Sequence, residues 1–144
     1  YIILDHISIV VSGMEGGDER RAIDNMMTKL RGLTEEVNCG MILVSHLKRP
    51  QGNKGHEDGA RTSMAQLRGS AAIGQLSDIV IGCERDQQGE YPDRTTVRIL
   101  KNRWTGETGE CCFLDYDKAT GRLNEVSGVV DFDEEDSIPF EKDF

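Results

Sequence analysis

The sequence predicts an α/β fold whose opening strands are parallel, extended by antiparallel strands and hairpins, and followed by an acidic tail that stays unfolded. Three observations carry this. Tyr1-Ile2-Ile3-Leu4 and Gly40-Met41-Ile42-Leu43-Val44 are short β-favouring runs that end in polar pairs, Asp5-His6 and Ser45-His46. Between them apolar side chains recur at spacings of three and four, the signature of an amphipathic helix. From residue 78 onward, apolar runs follow one another across short Gly-, Pro- and Asp-containing turns, which is the pattern of antiparallel strands.

Taken in order, residues 1–4 read as a strand buried on both faces, continued in apolar character by Ile7 to Val11 and then by a flexible connection over 12–17. Asp18 is placed to cap a helix starting near Glu19. Ile23, Met26, Met27, Leu30, Leu33 and Val37 form one apolar stripe, assigned to the core, and Asn38 and Gly40 end it. Strand, helix, strand in this order is a right-handed crossover, so residues 40–46 should run parallel to the first strand and bring His46 near Asp5. Residues 47–63 read as a long loop, carrying Lys48, Arg49, Lys54 and Arg61 against Glu57 and Asp58. Ser63 and Gln66 make a capping-box pair, and a short helix follows over 71–76. Further strands are expected over 78–83, 95–100 and 110–116, with a short sixth near 122–123.

The chain has 144 residues, enough for one core. At 37% apolar and 30% charged, part of it should lie outside that core. Residues 129–144 hold seven acids against one Lys, which leaves −3 of the formal −9 for the rest. The expected division is therefore a folded part over 1–126 and an acidic tail over 127–144. Cys39, Cys83, Cys111 and Cys112 form no CxxC pair and read as reduced, buried thiols. Neither a signal peptide nor a membrane-length apolar run is evident, so a cytoplasmic location is expected. The chain opens in mid-strand and has no GxxxxGK[ST] loop, so the phosphate cradle of any nucleotide enzyme would lie upstream, in a longer protein of which this is the C-terminal part.

Ligands of open parallel sheets sit beyond the carboxyl ends of the strands, where Asp5 lies. A carboxylate there suits a Mg²⁺ that keeps most of its waters. An imidazole N–H at His46 suits a γ-phosphate oxygen. A basic loop tracks a phosphate backbone without reading bases. Blander readings stand beside each of these. An Asp at a strand end also opens turns, a His there is often structural, a charged loop is often only solvated, and an acidic tail often only solubilises.

Several of these residues recur in one order at fixed distances: Tyr1–Asp5, Val44-Ser45-His46, Leu67-Arg68-Gly69-Ser70 with Gln75-Leu76-Ser77-Asp78, Glu84-Arg85, and Arg98-Ile99-Leu100-Lys101-Asn102-Arg103 with Thr105-Gly106. Over about residues 1–125 this pattern resembles the RecA-like motor of hexameric replicative helicases, the DnaB superfamily, and within it the primase-helicases of T-seven-like phages. The resemblance implies a partial RecA-like fold and NTP-driven 5′→3′ movement on single-stranded DNA, with hydrolysis at subunit interfaces. It implies that Asp5 is the Walker B carboxylate ordering Mg²⁺, and that His46 is a sensor of the γ-phosphate. Lys48 and Lys54 fall in its DNA loop, and Arg68 with Gly69 in the next DNA-facing element. Arg103 corresponds to the finger that reaches a neighbouring subunit's nucleotide, with Lys101 beside it. Arg85 and Tyr116 correspond to the pair that sandwiches the base. The implied cofactor is Mg²⁺ and the substrate an NTP, ATP or dTTP. The implied partners are single-stranded DNA, identical subunits in a ring, and a replicative DNA polymerase met by the acidic tail ending at Phe144. Gly52 and Gln66 depart from the phage pattern, which has a Lys and an acid at those positions. A RecA-type recombinase that forms filaments, or a DNA-binding or docking fragment without turnover, are the alternatives.

Overall fold

Asp18 accepts a hydrogen bond from the Arg21 amide at 3.2 Å and so caps helix α2, Glu19–Glu36, at the residue its sequence selects. The structure is a computed structural model and describes residues 1–12, 18–50, 54–67 and 71–126. Before α2 come strand β1 (Ile2–Leu4) and helix α1 (Ile7–Ser12); after it come strand β2 (Met41–Leu43), a 3-10 turn at Met64–Gln66 and helix α3 (Ala71–Leu76). The run Ile7 to Val11, expected to continue the strand's apolar character, is helical. Its β-branched residues disfavour a helix locally, but Ile7 and Val11 lie four apart and reach the core together. Packing decides against propensity here.

β1 and β2 pair in parallel, with Ile2 opposite Met41 and Leu4 opposite Leu43. The core lies on one side of this pair, where Ile7, Val11, Ile23, Met27 and Ile73 cluster and Leu4, Leu43, Leu67 and Leu76 pack against them. The expectation of a strand buried on both faces is corrected: Ile3 is 71% exposed and Ile42 55%. The described residues cover only one face of the pair. The α2 stripe is likewise core only in its first half, since Leu33 and Val37 stand exposed.

The second half is a four-stranded antiparallel sheet in the order β3 (Ile79–Arg85), β4 (Arg94–Asn102), β5 (Gly109–Asp117), β6 (Arg122–Glu125). Each strand outruns its sequence estimate, because paired backbone carries polar residues such as Glu84, Arg85 and Asn102 along with the apolar run. On the inner face Arg98 is buried and donates to both carboxylate oxygens of Glu84, at 2.8 and 3.2 Å, and to Glu110. Glu84 also accepts the amide and hydroxyl of Thr62, each at 2.7 Å. Gly82 faces Thr62 so closely that a Cβ there would strike the Thr62 hydroxyl. The four cysteines are free thiols, as expected, but not buried: Cys83 and Cys111 are exposed and Cys39 and Cys112 half-buried. Strand alternation puts Cys83 on the outer face of β3 with Ile79 and Ile81.

The described parts of the 47–63 segment are pinned and not a loose loop. Leu47 bridges to Leu67, the Lys48 amide donates to the Gln66 carbonyl at 2.7 Å, and Asp58 bridges to Asp86. Gln66 accepts the Ser63 amide at 2.8 Å, as its capping role requires. The tail, residues 127–144, lies outside the described residues. Among the described residues no helix is long and apolar enough to cross a membrane.

Candidate functional site

The parallel register brings two strand ends together. The Val44 amide donates to the Leu4 carbonyl at 2.9 Å and the Ile7 amide to the Val44 carbonyl at 3.1 Å, so the chain leaves β1 alongside the exit of β2. Asp5 is exposed at that exit. The rings of His6 and His46 meet edge to face with centroids 4.2 Å apart, and the Asp5–His6 peptide is cis. His6 Nδ1 is buried and has no hydrogen-bond partner among the described residues. Sequence reading passed over His6. Its position directly after the strand-ending Asp5 was the available signal.

No group of three or more His, Cys, Asp or Glu among the described residues is arranged to hold a metal. Asp5 offers one hard oxygen donor, which fits an ion held mostly by water and phosphate, as Mg²⁺ is. It does not fit an all-protein cage.

Beyond His46 the chain turns into an open cleft of about 620 Å³, whose cationic lining is Arg20, Lys48 and Lys101. Lys48 is exposed, and its carbonyl meets His56 Nε2 at 2.9 Å. Lys54 is exposed outside the cleft lining. Arg68, Gly69 and Phe144 lie outside the described residues.

Lys101 and Arg103, near the end of β4, converge on the C-terminal end of α3. Lys101 Nζ donates to the carbonyls of Gly74, Gln75 and Ser77 at 2.7, 3.2 and 2.8 Å. These are the carbonyls a helix end leaves without partners, and a cation is favoured there. Arg103 Nη2 donates to the Gln75 carbonyl at 2.9 Å, and Nη1 pairs with Asp78 Oδ1 at 3.0 Å. The other Asp78 oxygen takes Arg31 of α2 at 2.7 Å, and Arg31 also pairs with Glu35. Hydrogen bonds from Arg31 to Asp78, and then to Glu35, hold that guanidinium more firmly protonated than usual.

Arg85 and Tyr116 stand at the opposite end of the sheet. Arg85 is opposite Thr95, and Thr95 opposite Leu114, so these three share a face; Tyr116, two residues on from Leu114, projects from it too. Arg85 Nη2 pairs with Asp93 at 2.9 Å, and the Tyr116 amide donates to the Asp93 carbonyl at 3.0 Å. Seven residue steps from Arg85 back along β3 to Asp78, roughly 23 Å, separate this end from Asp78 and Arg103.

Comparison with known proteins matches residues 1–125 to the family model described as DnaB-like helicase C-terminal domain. The chain is 48% identical over 126 residues to the DNA helicase/primase of Enterobacteria phage T3, an alignment spanning 88% of this chain and 22% of that protein. It is 27% identical over 111 residues to a chloroplastic and mitochondrial Twinkle homolog of Arabidopsis thaliana, spanning 74% of this chain and 15% of that one. The chain thus spans under a quarter of the length of these relatives. Among solved structures, the ATPase domain of G40P superposes with a TM-score of 0.70 at 22% identity, covering 86% of this chain and 43% of that one. A DnaB-like replicative helicase studied with primase superposes at 0.63 and 23% identity, covering 77% and 26%. These two likenesses establish the fold.

Proposed function

This chain belongs to the DnaB-like helicase C-terminal domain family, and from that premise we propose that it supplies the sensing, DNA-gripping and trans-acting parts of a ring-forming, NTP-driven helicase. The motor moves 5′→3′ on single-stranded DNA in a phage replisome, and hydrolysis occurs between subunits. The reading is carried by one observation: the parallel pairing of β1 and β2, which sets Asp5 and the His46 ring at adjoining strand ends.

Asp5 would hold the Mg²⁺ that accompanies ATP or dTTP, through water, and the ion would supply charge neutralisation at the phosphates. His46 donates to the γ-phosphate of the same nucleotide. Lys48 follows two residues later and lines the basic cleft, so a shift of His46 reaches the DNA contact through one short segment. Lys54, with Arg68 and Gly69, extends that contact along the phosphate backbone. Arg85 and Tyr116 clasp the base, since a guanidinium plane and an aromatic ring both offer flat, polarisable faces.

Arg103 reaches the nucleotide of the neighbouring subunit. Its distance from the base-clasping pair supports service to a different nucleotide. A planar Arg fork suits charge spread over a transferring phosphoryl group. Lys101 accompanies it, and to touch phosphate it must release the carbonyls of Gly74 and Gln75 in α3 and of Ser77 just after it. Residues 1–126 form the motor portion. The tail over 127–144 docks through Phe144 on a replicative DNA polymerase, its acids steering it toward a basic surface.

The test is Asp5→Asn in the full-length protein. Mg²⁺-dependent NTP hydrolysis and unwinding should be lost while the ring persists; undiminished unwinding would overturn the reading.

A further inference from the structure

We infer that Asp78 is a positioning residue for Arg103: it holds the trans-acting guanidinium in its reaching pose and ties that pose to helix α2 through Arg31. This rests on the reading of Arg103 as the group that reaches the neighbouring nucleotide. Asp78 itself is assigned no role by the sequence or by the family match.

The geometry is a shared carboxylate. Asp78 Oδ1 takes Arg103 Nη1 at 3.0 Å and Oδ2 takes Arg31 Nη1 at 2.7 Å, while the Asp78 carbonyl accepts the Arg103 amide at 2.9 Å. Arg103 is therefore fixed at its backbone and at one guanidinium nitrogen by a single residue. The Gln75 carbonyl at 2.9 Å fixes a second nitrogen. An arginine carries five N–H donors, so these two side-chain bonds leave others unused, and the side chain is still 45% exposed. A guanidinium held in this way keeps a face for phosphate.

Charge sharing makes the arrangement productive. A carboxylate devoted to Arg103 alone would cancel the positive charge that a transferring phosphoryl group needs. Asp78 divides its charge between two arginines, and Glu35 lies on the far side of Arg31. With Glu35 counted the four groups balance, but Asp78 spends part of its charge on Arg31, so the guanidinium of Arg103 is only partly neutralised at its exposed end. Freezing the rotamer before the neighbouring nucleotide arrives removes an ordering cost from the reaction step.

The experiment is steady-state NTP hydrolysis by the full-length helicase with single-stranded DNA present, comparing wild type, Asp78→Asn, Arg103→Ala and the double variant. Asparagine keeps the shape but offers one carbonyl and turns an NH₂ toward the second arginine. Asp78→Asn should lower kcat by roughly tenfold or more, the scale of a misplaced catalytic group, with KM and ring assembly unchanged. In the Arg103→Ala background the same change should cost less than about twofold, because its effect runs through Arg103. Wild-type turnover in Asp78→Asn, or losses that multiply in the double variant, would overturn the inference. Arg103→Ala separates the two levels. If that variant turns over normally, the reaching role fails and the positioning role with it. If it is inactive while Asp78→Asn is normal, only the positioning role fails. Should Asp78→Asn not fold, Arg31→Gln removes the brace from α2 without touching Asp78. It should lower kcat in the same direction at unchanged KM, and normal turnover there overturns the inference.

Discussion

Glu84 grips the buried guanidinium of Arg98 with both carboxylate oxygens, at 2.8 and 3.2 Å, and with one of them also takes the amide and hydroxyl of Thr62. The side chains are 9% and 7% exposed. Removing one partner of such a pair strands the other, which costs about 3–5 kcal/mol. Glu84→Ala should therefore destabilise the protein toward the lower end of that range, since Glu110 still pairs with Arg98. Chemical denaturation of the full-length protein checks this.

The same carboxylate has a signed pH dependence. Burial pushes its pKa up, but the hydrogen bonds from Arg98 and Thr62 and the Arg98 charge outweigh burial and hold it below the ordinary Glu value. A depressed folded pKa gives stability that is present above the unfolded value, about 4.3, and lost as pH falls through the folded one. Stability should fall on acidification below about pH 4.3, and less steeply in Glu84→Gln. Parallel melting curves across that range would reveal identical slopes if the idea is wrong.

Arg103→Ala should leave nucleotide binding within a few-fold and reduce DNA-stimulated hydrolysis by about a thousandfold or more, the usual worth of an arginine finger. Normal turnover in the mutant ring refutes the role.

Arg85→Ala and Tyr116→Ala should each weaken nucleotide binding through loss of one stacking face. At about 1–3 kcal/mol per stacked base, KM rises roughly tenfold while Asp5- and Arg103-dependent chemistry persists at saturation. A fall in kcat at unchanged KM would place these residues elsewhere in the cycle.

His6→Phe keeps an aromatic ring against His46 and removes the buried nitrogen that lacks a partner among the described residues. Deleting such a group is neutral or stabilising, so the melting temperature should hold or rise. His6→Ala should lower it and blunt DNA stimulation by freeing His46. A lower melting temperature in His6→Phe would argue that Nδ1 has a hydrogen-bond partner in solution.

Sequence logic read some of this architecture and missed the rest for identifiable reasons. The α2 cap at Asp18, the parallel strand pair and the antiparallel run from β3 to β6 follow from local periodicity and turn chemistry, and each was legible. Helix α1 was not, because Ile7-Ser8-Ile9-Val10-Val11 is written in strand-favouring residues and is helical only through the tertiary seat of Ile7 and Val11. Ile3 and Ile42 read as buried because apolar runs carry no record of which face is covered. At the candidate site, strand ends pointed to Asp5 and His46. Asp78 and His6 stayed hidden because their meaning lies in distant partners: Asp78 meets Arg31 across 47 positions and His6 meets His46 across the crossover.

The uncovered side of the β1–β2 pair has a practical corollary. Tyr1, Ile3, Ile42 and Val44 present greasy side chains to water on a sheet that has two strands among the described residues, each of them an edge strand there. Such a surface invites stacking and edge-to-edge growth. A preparation of these 144 residues by themselves should bind hydrophobic dyes, run larger than its mass on a sizing column and turn turbid on concentration. Lysine or glutamate at positions 3 and 42 should keep it clear.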